Sequence, residues 1–401
     1  MDIADFKDNK LGSLVPIHGT DPTSGPWQHS AFVPTPPSAQ EPPTLSHQTH
    51  RAVAEARAAL AALDATSRQL PNPQLLRRPT LRREAQSTSA LEGTFAPLSD
   101  VLAAADDQPS GTDMREILNY ERMASQAFHY VGQGASLTTG LLCDLQGVLV
   151  KGTSAEGSET GRIRRVQVAV GQREGAAPSE LRVRAARFVP PPPGLDLDAS
   201  VGDFVDWFRT DHAETLDPVV AAAMAHYQFE TLHPFHDGNG RLGRMLIVLH
   251  LHLHGILSEP TLTVSPWFES RRTEYYNRLL HVSRTGVWDE YIQFFATGIR
   301  ASADLTYRQM LALVAAQETL KERVRASALR ADTAHVLVDF AVANPTFTIR
   351  QVEEALGVSY GRANKLVQQL VDLGVLREMM YIGGTRRFSA PDILEVLIST
   401  E

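Results

Sequence analysis

Residues 233–244 bring several chemically active side chains together within twelve positions. They read HPFHDGNGRLGR and hold a histidine that can take up a proton, a carboxylate that can bind a metal ion, a glycine-rich segment and two arginines. The residues concerned are His233, Asp237, Gly238, Asn239, Gly240, Arg241 and Arg244. This set is suited to holding a nucleotide polyphosphate and moving part of it onto a hydroxyl group.

The glycine-rich segment predicts an anion-binding site. Pro234 and residues 238–240 favour a loop, and from Arg241 onward apolar residues at helical spacing predict a helix. A loop that runs into a helix directs free backbone N–H groups and the positive end of the helix dipole at one point. Gly238 and Gly240 let the backbone approach phosphate oxygens because no Cβ stands in the way.

The side chains beside this loop supply the remaining chemistry. Asp237 can hold Mg²⁺ through one carboxylate while phosphates and waters complete its octahedral shell. Arg241 and Arg244 are three positions apart, so both can address one polyphosphate. A histidine side chain ordinarily has a pKa of about 6.5, which suits His233 to taking a hydroxyl proton near neutral pH.

The stretch closely resembles the signature of the Fic family, in which a histidine, a phenylalanine, an acidic residue, Gly-Asn-Gly and two arginines follow in this order. Every signature position is filled here. The resemblance implies a mainly α fold, a Fic-type helical bundle with a small β-hairpin flap. It also implies Mg²⁺-dependent transfer of AMP from ATP to a Ser, Thr or Tyr hydroxyl of a target protein. We therefore expect ATP and a protein substrate as partners, with self-modification and a homodimer as further expectations.

By that resemblance each signature residue receives a role. His233 is expected to be the general base and Asp237 the Mg²⁺ ligand. Residues 238–240 are expected to cradle the phosphates, and Arg241 and Arg244 to bind the phosphate tail.

A second informative stretch, residues 84–93, reads EAQSTSALEG. Thr88 and Glu92 are four positions apart and share one face of a predicted helix. Glu92 lies at the end of that helix, where the dipole disfavours a negative charge unless an outside cation holds it. The pattern resembles the inhibitory motif of Fic proteins, which implies that Glu92 pairs with Arg244 and diverts it from the γ-phosphate of ATP. An ordinary exposed glutamate before a helix-ending glycine is the alternative.

Two further segments resemble parts of the family's nucleotide and target sites. Residues 161–171 predict a strand over 163–170, followed by a turn over 171–178 and a return strand over 181–189. They resemble the Fic flap, which grips a target segment through strand-like hydrogen bonds; a plain surface hairpin is the alternative. The flap residues expected near the nucleotide are Val168, Ala169, Val170 and Gly171.

An aromatic pair, Tyr275 and Tyr276, resembles the family's tyrosines at the adenine. Aromatic residues at helical spacing also pack in cores, so a core role is the alternative.

The whole chain has the composition of a soluble globular protein. Its 401 residues allow two or three domains, and it is 43% hydrophobic and 21% charged. A single cysteine, Cys143, excludes an internal disulfide and fits a reducing compartment. No apolar run reaches membrane-spanning length, and the acidic N-terminal residues do not resemble a secretory signal. We expect a cytoplasmic, bacterial protein.

Composition along the chain predicts four regions. Residues 1–110 form an N-terminal arm and helices, with 1–45 extended over the body or partly disordered and a helix starting after Pro79. Residues 111–300 form the Fic core, 301–330 a helical connector, and 331–401 a winged helix-turn-helix whose β-hairpin turns at residues 383–384.

The predicted winged unit raises the question of DNA binding. Residues 331–401 contain six Lys or Arg and nine Asp or Glu, so their net charge is 6 − 9 = −3. Because DNA affinity comes largely from cationic contacts to phosphate, DNA binding is disfavoured. Two alternatives to AMP transfer remain: a Doc-like kinase that transfers the γ-phosphate, and a nucleotide-sensing DNA-binding regulator. The intact Gly240 and Arg244 argue against the first, and the intact His233 argues against the second.

Overall fold

A computed structural model of the chain describes residues 1–6, 10–21, 25–69, 74–104, 109, 111–327, 329, 332–382 and 385–399. It is mainly helical, with three small antiparallel sheets. This agrees with the predicted fold class. Within the described ranges no helix is both long and apolar enough to cross a membrane.

Within the N-terminal region, residues 12–21 and 25–34 form a β-hairpin, where the sequence predicted an arm extended over the body or partly disordered. Strands β1 (Gly12–Asp21) and β2 (Gly25–Pro34) pair antiparallel along their whole length. Ile17 and Ala31 are buried in a small apolar cluster with Val183 and Val189 of the later chain. Burial of this apolar face, which the Pro- and Ser-rich composition obscured, stabilises the hairpin.

Helix α1 (His47–Gln69) precedes α2 (Gln74–Leu91), the helix that ends at the predicted inhibitory motif. The prediction that α2 begins after Pro79 is wrong, because Pro79 lies inside the helix. Ion pairs hold the turn before the proline: Arg77 Nη2 lies 2.6 Å from Glu259 Oε2, and Arg78 Nε lies 3.0 Å from Glu121 Oε1. Such tertiary contacts outweigh the poor helix propensity of proline.

Two helices form the centre of the molecule, α8 (Pro218–Leu232) and α9 (Asn239–Leu253), and the signature loop joins them. Nearly all residues of both are buried, as expected for helices enclosed on every side. The surrounding elements are α3 (Leu98–Ala103), α4 (Thr112–Gly132), α5 (Thr139–Val150) and α7 (Leu195–Arg209).

The flap is smaller than predicted. Only Val170–Gln172 (β3) and Ala186–Phe188 (β4) pair as strands, and a short helix, α6 (Arg182–Ala185), replaces the start of the return strand. The predicted strand over 163–169 does not form because Ile163 and Arg164 are drawn into the body of the protein. There the Arg164 N–H donates to the Pro234 carbonyl at 2.9 Å.

After α9 come α10 (Ser265–Glu269), α11 (Arg272–Thr285) and the long α12 (Asp289–Arg325). Helix α12 runs without a break across the predicted boundary at residue 300. It packs along α1. The division into four regions stays a prediction.

The C-terminal unit has the element order typical of a winged helix-turn-helix. The elements are α13 (Asp332–Ala343), β5 (Thr346–Thr348), α14 (Ile349–Leu356), α15 (Tyr360–Asp372), β6 (Arg377–Ile382), β7 (Thr385–Ser389) and α16 (Pro391–Ile398). Its sheet has the order β5-β7-β6. The predicted turn at 383–384 lies outside the described residues.

Candidate active site

His233 is the first residue after α8 and has an unusual backbone. Its φ of 49° and ψ of 59° place it in the left-handed region, and it is the only non-glycine residue with positive φ in the described ranges. Its Nδ1 lies 3.3 Å from the Glu230 carbonyl oxygen. Because a carbonyl only accepts hydrogen bonds, Nδ1 carries the ring proton, and the Nε2 lone pair is left to act as a base.

The surroundings of His233 keep the imidazole neutral. Burial lowers the pKa of His233, and the Arg164 guanidinium lowers it further, to about 4. The Glu230 carbonyl and the carboxylates of Glu92 and Asp237 act in the opposite direction but do not outweigh them. A histidine with this pKa is unprotonated at neutral pH and can accept a proton there.

Asn239 gives the glycine-rich loop its shape. Its Oδ1 accepts from the Phe235 N–H at 2.9 Å, and its Nδ2 donates to the Phe235 carbonyl at 2.8 Å. Both polar atoms of the Asn239 side chain therefore bond within the loop. The predicted contact of Asn239 with a nucleotide could then be made only by its backbone. Gly238 has a φ of +86°, and a Cβ there would lie 2.8 Å from the Leu149 side chain. Phe235 is fully buried and anchors the loop.

Arg241 is held by two carboxylates. Its Nη2 lies 2.7 Å from Asp237 Oδ1, and its Nη1 lies 3.3 Å from Glu116 Oε2. The same Glu116 oxygen accepts from Thr94 Oγ1 at 2.9 Å. The sequence gives no signal for Glu116, because only the packing of α4 against α9 brings it to the site.

Asp237 is accessible, with 45% of its side chain exposed. One oxygen binds Arg241, and the other has no hydrogen-bond partner within the described part of the chain. That leaves an outward-facing hard oxygen donor, which is the ligand type Mg²⁺ prefers. No cluster of three or more His, Cys, Asp or Glu among the described residues could hold a metal, so phosphates and water would have to complete the shell.

Arg244 is fully buried and pairs with both predicted residues of the inhibitory motif. Its Nη2 lies 2.6 Å from Glu92 Oε1, its Nε donates to Thr88 Oγ1 at 2.7 Å, and its Nη2 also donates to the Thr88 carbonyl at 3.1 Å. Burial alone raises the pKa of Glu92, but the Arg244 guanidinium outweighs it and holds that pKa below its ordinary value. The motif and the signature, 152 positions apart, meet in one ion pair.

Glu92 also lies directly on the glycine-rich loop. A Cβ built on Gly240 would be 2.2 Å from Glu92 Oε1 and 3.0 Å from Arg244 Nη1. The carboxylate thus fills the space beside the α-carbon of Gly240.

Glu230 is a second acidic residue that the sequence did not single out. Burial raises its pKa to about 7, although Arg244 lowers it and Glu92 raises it in turn. Its Oε1 is buried without a hydrogen-bond partner and would lie 2.3 Å from a Cβ on Gly243. Glu230 therefore lies against Gly243 of α9.

The two tyrosines differ in their surroundings. Tyr275 is 0% exposed, and its hydroxyl lies 2.7 Å from His226 Nε2. In this structure Tyr275 has no exposed surface for a ligand. The geometry therefore favours the alternative, a core role, over the predicted place beside the adenine. Tyr276 is only partly buried, and its hydroxyl donates to the Leu91 carbonyl at 3.5 Å, next to Glu92.

The flap residues expected near the nucleotide are partly exposed. Val168, Ala169 and Val170 are half-buried and Gly171 is exposed. Val170 pairs with Phe188 across the flap. The contact between this region and the signature loop is made by Arg164, whose Nε donates to the His233 carbonyl at 2.8 Å. The nucleotide role of residues 168–171 stays a prediction.

Two family models match consecutive parts of the chain. The model described as Fic/DOC family, N-terminal, matches residues 50–129, and the one described as Fic/DOC family matches residues 136–251. The chain therefore contains a Fic/DOC family domain at residues 136–251, preceded by a match to the family's N-terminal region. The N-terminal match contains Thr88 and Glu92, and the second contains the whole signature of this Fic domain.

Curated relatives of this Fic chain are named protein adenylyltransferases. Protein adenylyltransferase fic-1 of Caenorhabditis elegans is 34% identical over 149 residues, which are 37% of this chain and 25% of that protein. Protein adenylyltransferase Fic of Drosophila melanogaster is 33% identical over 142 residues, which are 35% of this chain and 27% of that protein. The alignments thus span about a quarter of the length of these relatives.

A solved structure shows the same fold over most of the Fic chain. The crystal structure of a Fic family protein from Desulfovibrio desulfuricans G20 superposes with a TM-score of 0.53 and 21% sequence identity. The match covers 87% of this chain and 98% of that one.

Proposed function

We propose that this protein is an adenylyltransferase that moves AMP from ATP to a hydroxyl side chain of a protein and is restrained by its own Glu92. The observation that carries the proposal is the meeting of three groups at one site: the unprotonated Nε2 of His233, the cradle at residues 238–240, and Arg244 held by Glu92. The names of the curated relatives support the same reaction class.

The reaction assigns a task to each of these groups. The hydroxyl oxygen of the target attacks the α-phosphorus of ATP, and its proton passes to His233 Nε2. The bond between the α-phosphorus and the bridging oxygen breaks, and pyrophosphate leaves. Backbone N–H groups at the start of α9 and the guanidinium of Arg241 face the negative charge of the phosphate chain.

Asp237 is the residue that would hold Mg²⁺. When bound, the ion neutralises phosphate charge and aligns the phosphate chain. Arg241 binds one oxygen of Asp237 and fixes the direction of the other.

The restraint follows from the position of Glu92. While its carboxylate holds Arg244 and lies against Gly240, the γ-phosphate has no free cation there and the end of the cradle is negatively charged. ATP then binds without its α-phosphorus in line between the attacking hydroxyl and the leaving pyrophosphate. Removing Glu92 frees both the cation and the cradle.

Incubation with ATP labelled separately at the α- and γ-phosphates tests the proposal. The proteins are wild type, Glu92→Gly, and Glu92→Gly combined with His233→Ala. We expect the α label to enter protein, most strongly with Glu92→Gly, and not when His233 is also replaced. Incorporation of the γ label instead would establish the kinase alternative and overturn the proposal.

The DNA-binding alternative finds little support in the C-terminal unit. Arg386 makes two hydrogen bonds of 2.8 Å to Glu378, and Arg387 is buried. Two of the few cations that could face DNA are therefore engaged within the protein. Since the unit is also net acidic, we favour a protein-interaction role for it.

A further inference from the structure

Arg164 is a fully buried cation, and within the described residues its guanidinium donates hydrogen bonds only to backbone carbonyls. Burial lowers its pKa to about 10, so it stays charged at neutral pH. Its Nε donates to the His233 carbonyl at 2.8 Å and its Nη1 to the Val166 carbonyl at 3.2 Å. Its Nη2 donates to the carbonyls of Pro191 at 2.6 Å and Leu232 at 3.4 Å. No carboxylate pairs with it in the chain as far as the structure describes it.

These carbonyls come from three separate segments. Leu232 and His233 stand at the C-terminal end of α8, where the helix dipole is negative and favours a cation. Val166 precedes strand β3 and Pro191 follows strand β4, so one guanidinium joins both arms of the flap to the end of α8. The Arg164 N–H adds a hydrogen bond of 2.9 Å to the Pro234 carbonyl.

The residue that Arg164 holds most directly is in a strained conformation. A non-glycine residue in the left-handed region is strained, and this conformation persists only where its surroundings hold it. His233 has this conformation, and the Arg164 Nε binds its carbonyl oxygen. The Arg164 contact therefore helps to hold the His233 backbone in this conformation.

Arg164 also provides a positive charge beside the imidazole. The groups facing His233 are the Glu230 carbonyl on its own helix, Glu92 beyond α2, Asp237 in the loop, and Arg164 from the flap side. Glu92 and Asp237 both favour the protonated ring. Arg164 is the one charged group among these that opposes protonation.

We propose that Arg164 is a positioning residue for His233: it holds the strained backbone of that residue, places a positive charge beside its ring, and links it to the flap. The link to catalysis rests on the proposed function, which makes His233 the base. The contacts and the charge do not depend on that function.

An NMR titration of the His233 ring tests the charge directly and needs no nucleotide. The samples are wild type, Arg164→Gln and Arg164→Lys, with His233→Ala used to assign the signal. We expect the pKa of His233 to move from about 4 toward 6.5 in Arg164→Gln and to stay low in Arg164→Lys, which keeps the charge. An unchanged pKa in Arg164→Gln would overturn the proposal.

Arg165→Gln is the matched control for the titration. This neighbour is exposed and pairs with Asp198 at 2.9 Å on the surface, so its loss removes a positive charge one position away without touching His233. We expect the pKa of His233 to be unchanged. A rise equal to that in Arg164→Gln would show a general field effect and would also overturn the proposal.

Kinetics test whether Arg164 positions His233. They also cover the case in which Arg164→Gln does not fold. In the Glu92→Gly background, Arg164→Lys should lower kcat for α-phosphate transfer by about tenfold or more and leave KM for ATP within about twofold, because the phosphate-binding groups are untouched. Unchanged kcat, or a rise in KM as large as the fall in kcat, would contradict the proposed positioning. Absence of transfer in the Glu92→Gly parent would instead overturn the proposed function and leave the titration result standing.

Discussion

At the scale of single residues, the site depends on buried charges that are each held by a few partners. Arg244 has Glu92 and Thr88, Arg241 has Asp237 and Glu116, and His233 is kept neutral by burial and by Arg164. A buried charged group that loses a partner is costly, because the remaining group is left desolvated and unpaired. Replacements here should therefore change both activity and stability, in directions that the individual contacts define.

Thr88→Val should weaken the restraint without removing it. The substitution leaves the Arg244 Nε without its 2.7 Å acceptor while the Glu92 pair remains. We expect transfer of the α-phosphate to increase, but by less than in Glu92→Gly. We also expect a loss of about 1–3 kcal/mol in the free energy of unfolding, measured by urea denaturation. A stable Thr88→Val protein with wild-type activity would argue against a role for Thr88.

The stability of the protein should depend on pH through His233. Its folded pKa of about 4 lies below the ordinary value of 6.5, so the unfolded chain takes up the proton first as the pH falls. Stability from this residue is complete above about pH 6.5 and is lost as the pH falls toward 4. Thermal unfolding should therefore show Tm falling more steeply over this window in wild type than in His233→Ala. Parallel curves for the two proteins would show that His233 is not buried in its neutral form.

At the scale of elements, the signature loop is shaped by one side chain as much as by its glycines. Asn239 closes the loop onto Phe235 with two hydrogen bonds, and Phe235 is packed in the core. The residue types and their spacing predicted the loop, the helix after it and the residues that meet there. They did not predict that Asn239 acts through its side chain on the loop, because that depends on the turn geometry.

Asn239→Ala should disorder the loop, although the substitution removes only one side-chain amide. Both hydrogen bonds to Phe235 are lost, which we expect to lower the free energy of unfolding by about 1–3 kcal/mol and to abolish transfer in the Glu92→Gly background. His236→Ala, at an exposed position of the same loop, serves as the control for stability. Equal stability of the two variants would contradict the role given to Asn239.

Other elements differ in how far the sequence alone predicts them. The start of α9 follows from apolar spacing and from the glycines before it. The hairpin β1–β2, the short flap and the residues Glu116, Glu230 and Arg164 do not, because each depends on packing between segments far apart in the chain. The burial of Tyr275 also belongs here, since only the fold distinguishes it from Tyr276.

At the scale of the whole molecule, α2 connects the site with the C-terminal unit. Its last turn carries Thr88 and precedes Glu92, while Arg83 donates to the Leu397 carbonyl of α16 at 3.0 Å. One helix therefore contacts both the signature arginine and the end of the chain described here. We therefore expect a change in the C-terminal unit to alter the position of Glu92 through this helix.

Arg83→Ala should loosen this connection. The Arg83 guanidinium is buried, and its removal leaves the Leu397 carbonyl without that donor. We expect α-phosphate transfer to rise above the wild-type rate and Tm to fall, because α2 is less well held. Arg209→Ala, which removes a surface pair with Asp206, is the control and should change neither. Reduced Tm with wild-type transfer would show that the contact is structural only.

The most direct measurement of the central claim is the initial rate of α-phosphate incorporation into protein by Glu92→Gly relative to wild type, with Glu92→Gly/Arg244→Ala beside them. If Glu92 restrains the site by holding Arg244, the single variant should exceed wild type by about tenfold or more, and the double variant should lose that gain. Equal rates in wild type and Glu92→Gly, or a gain that survives the loss of Arg244, would contradict the account.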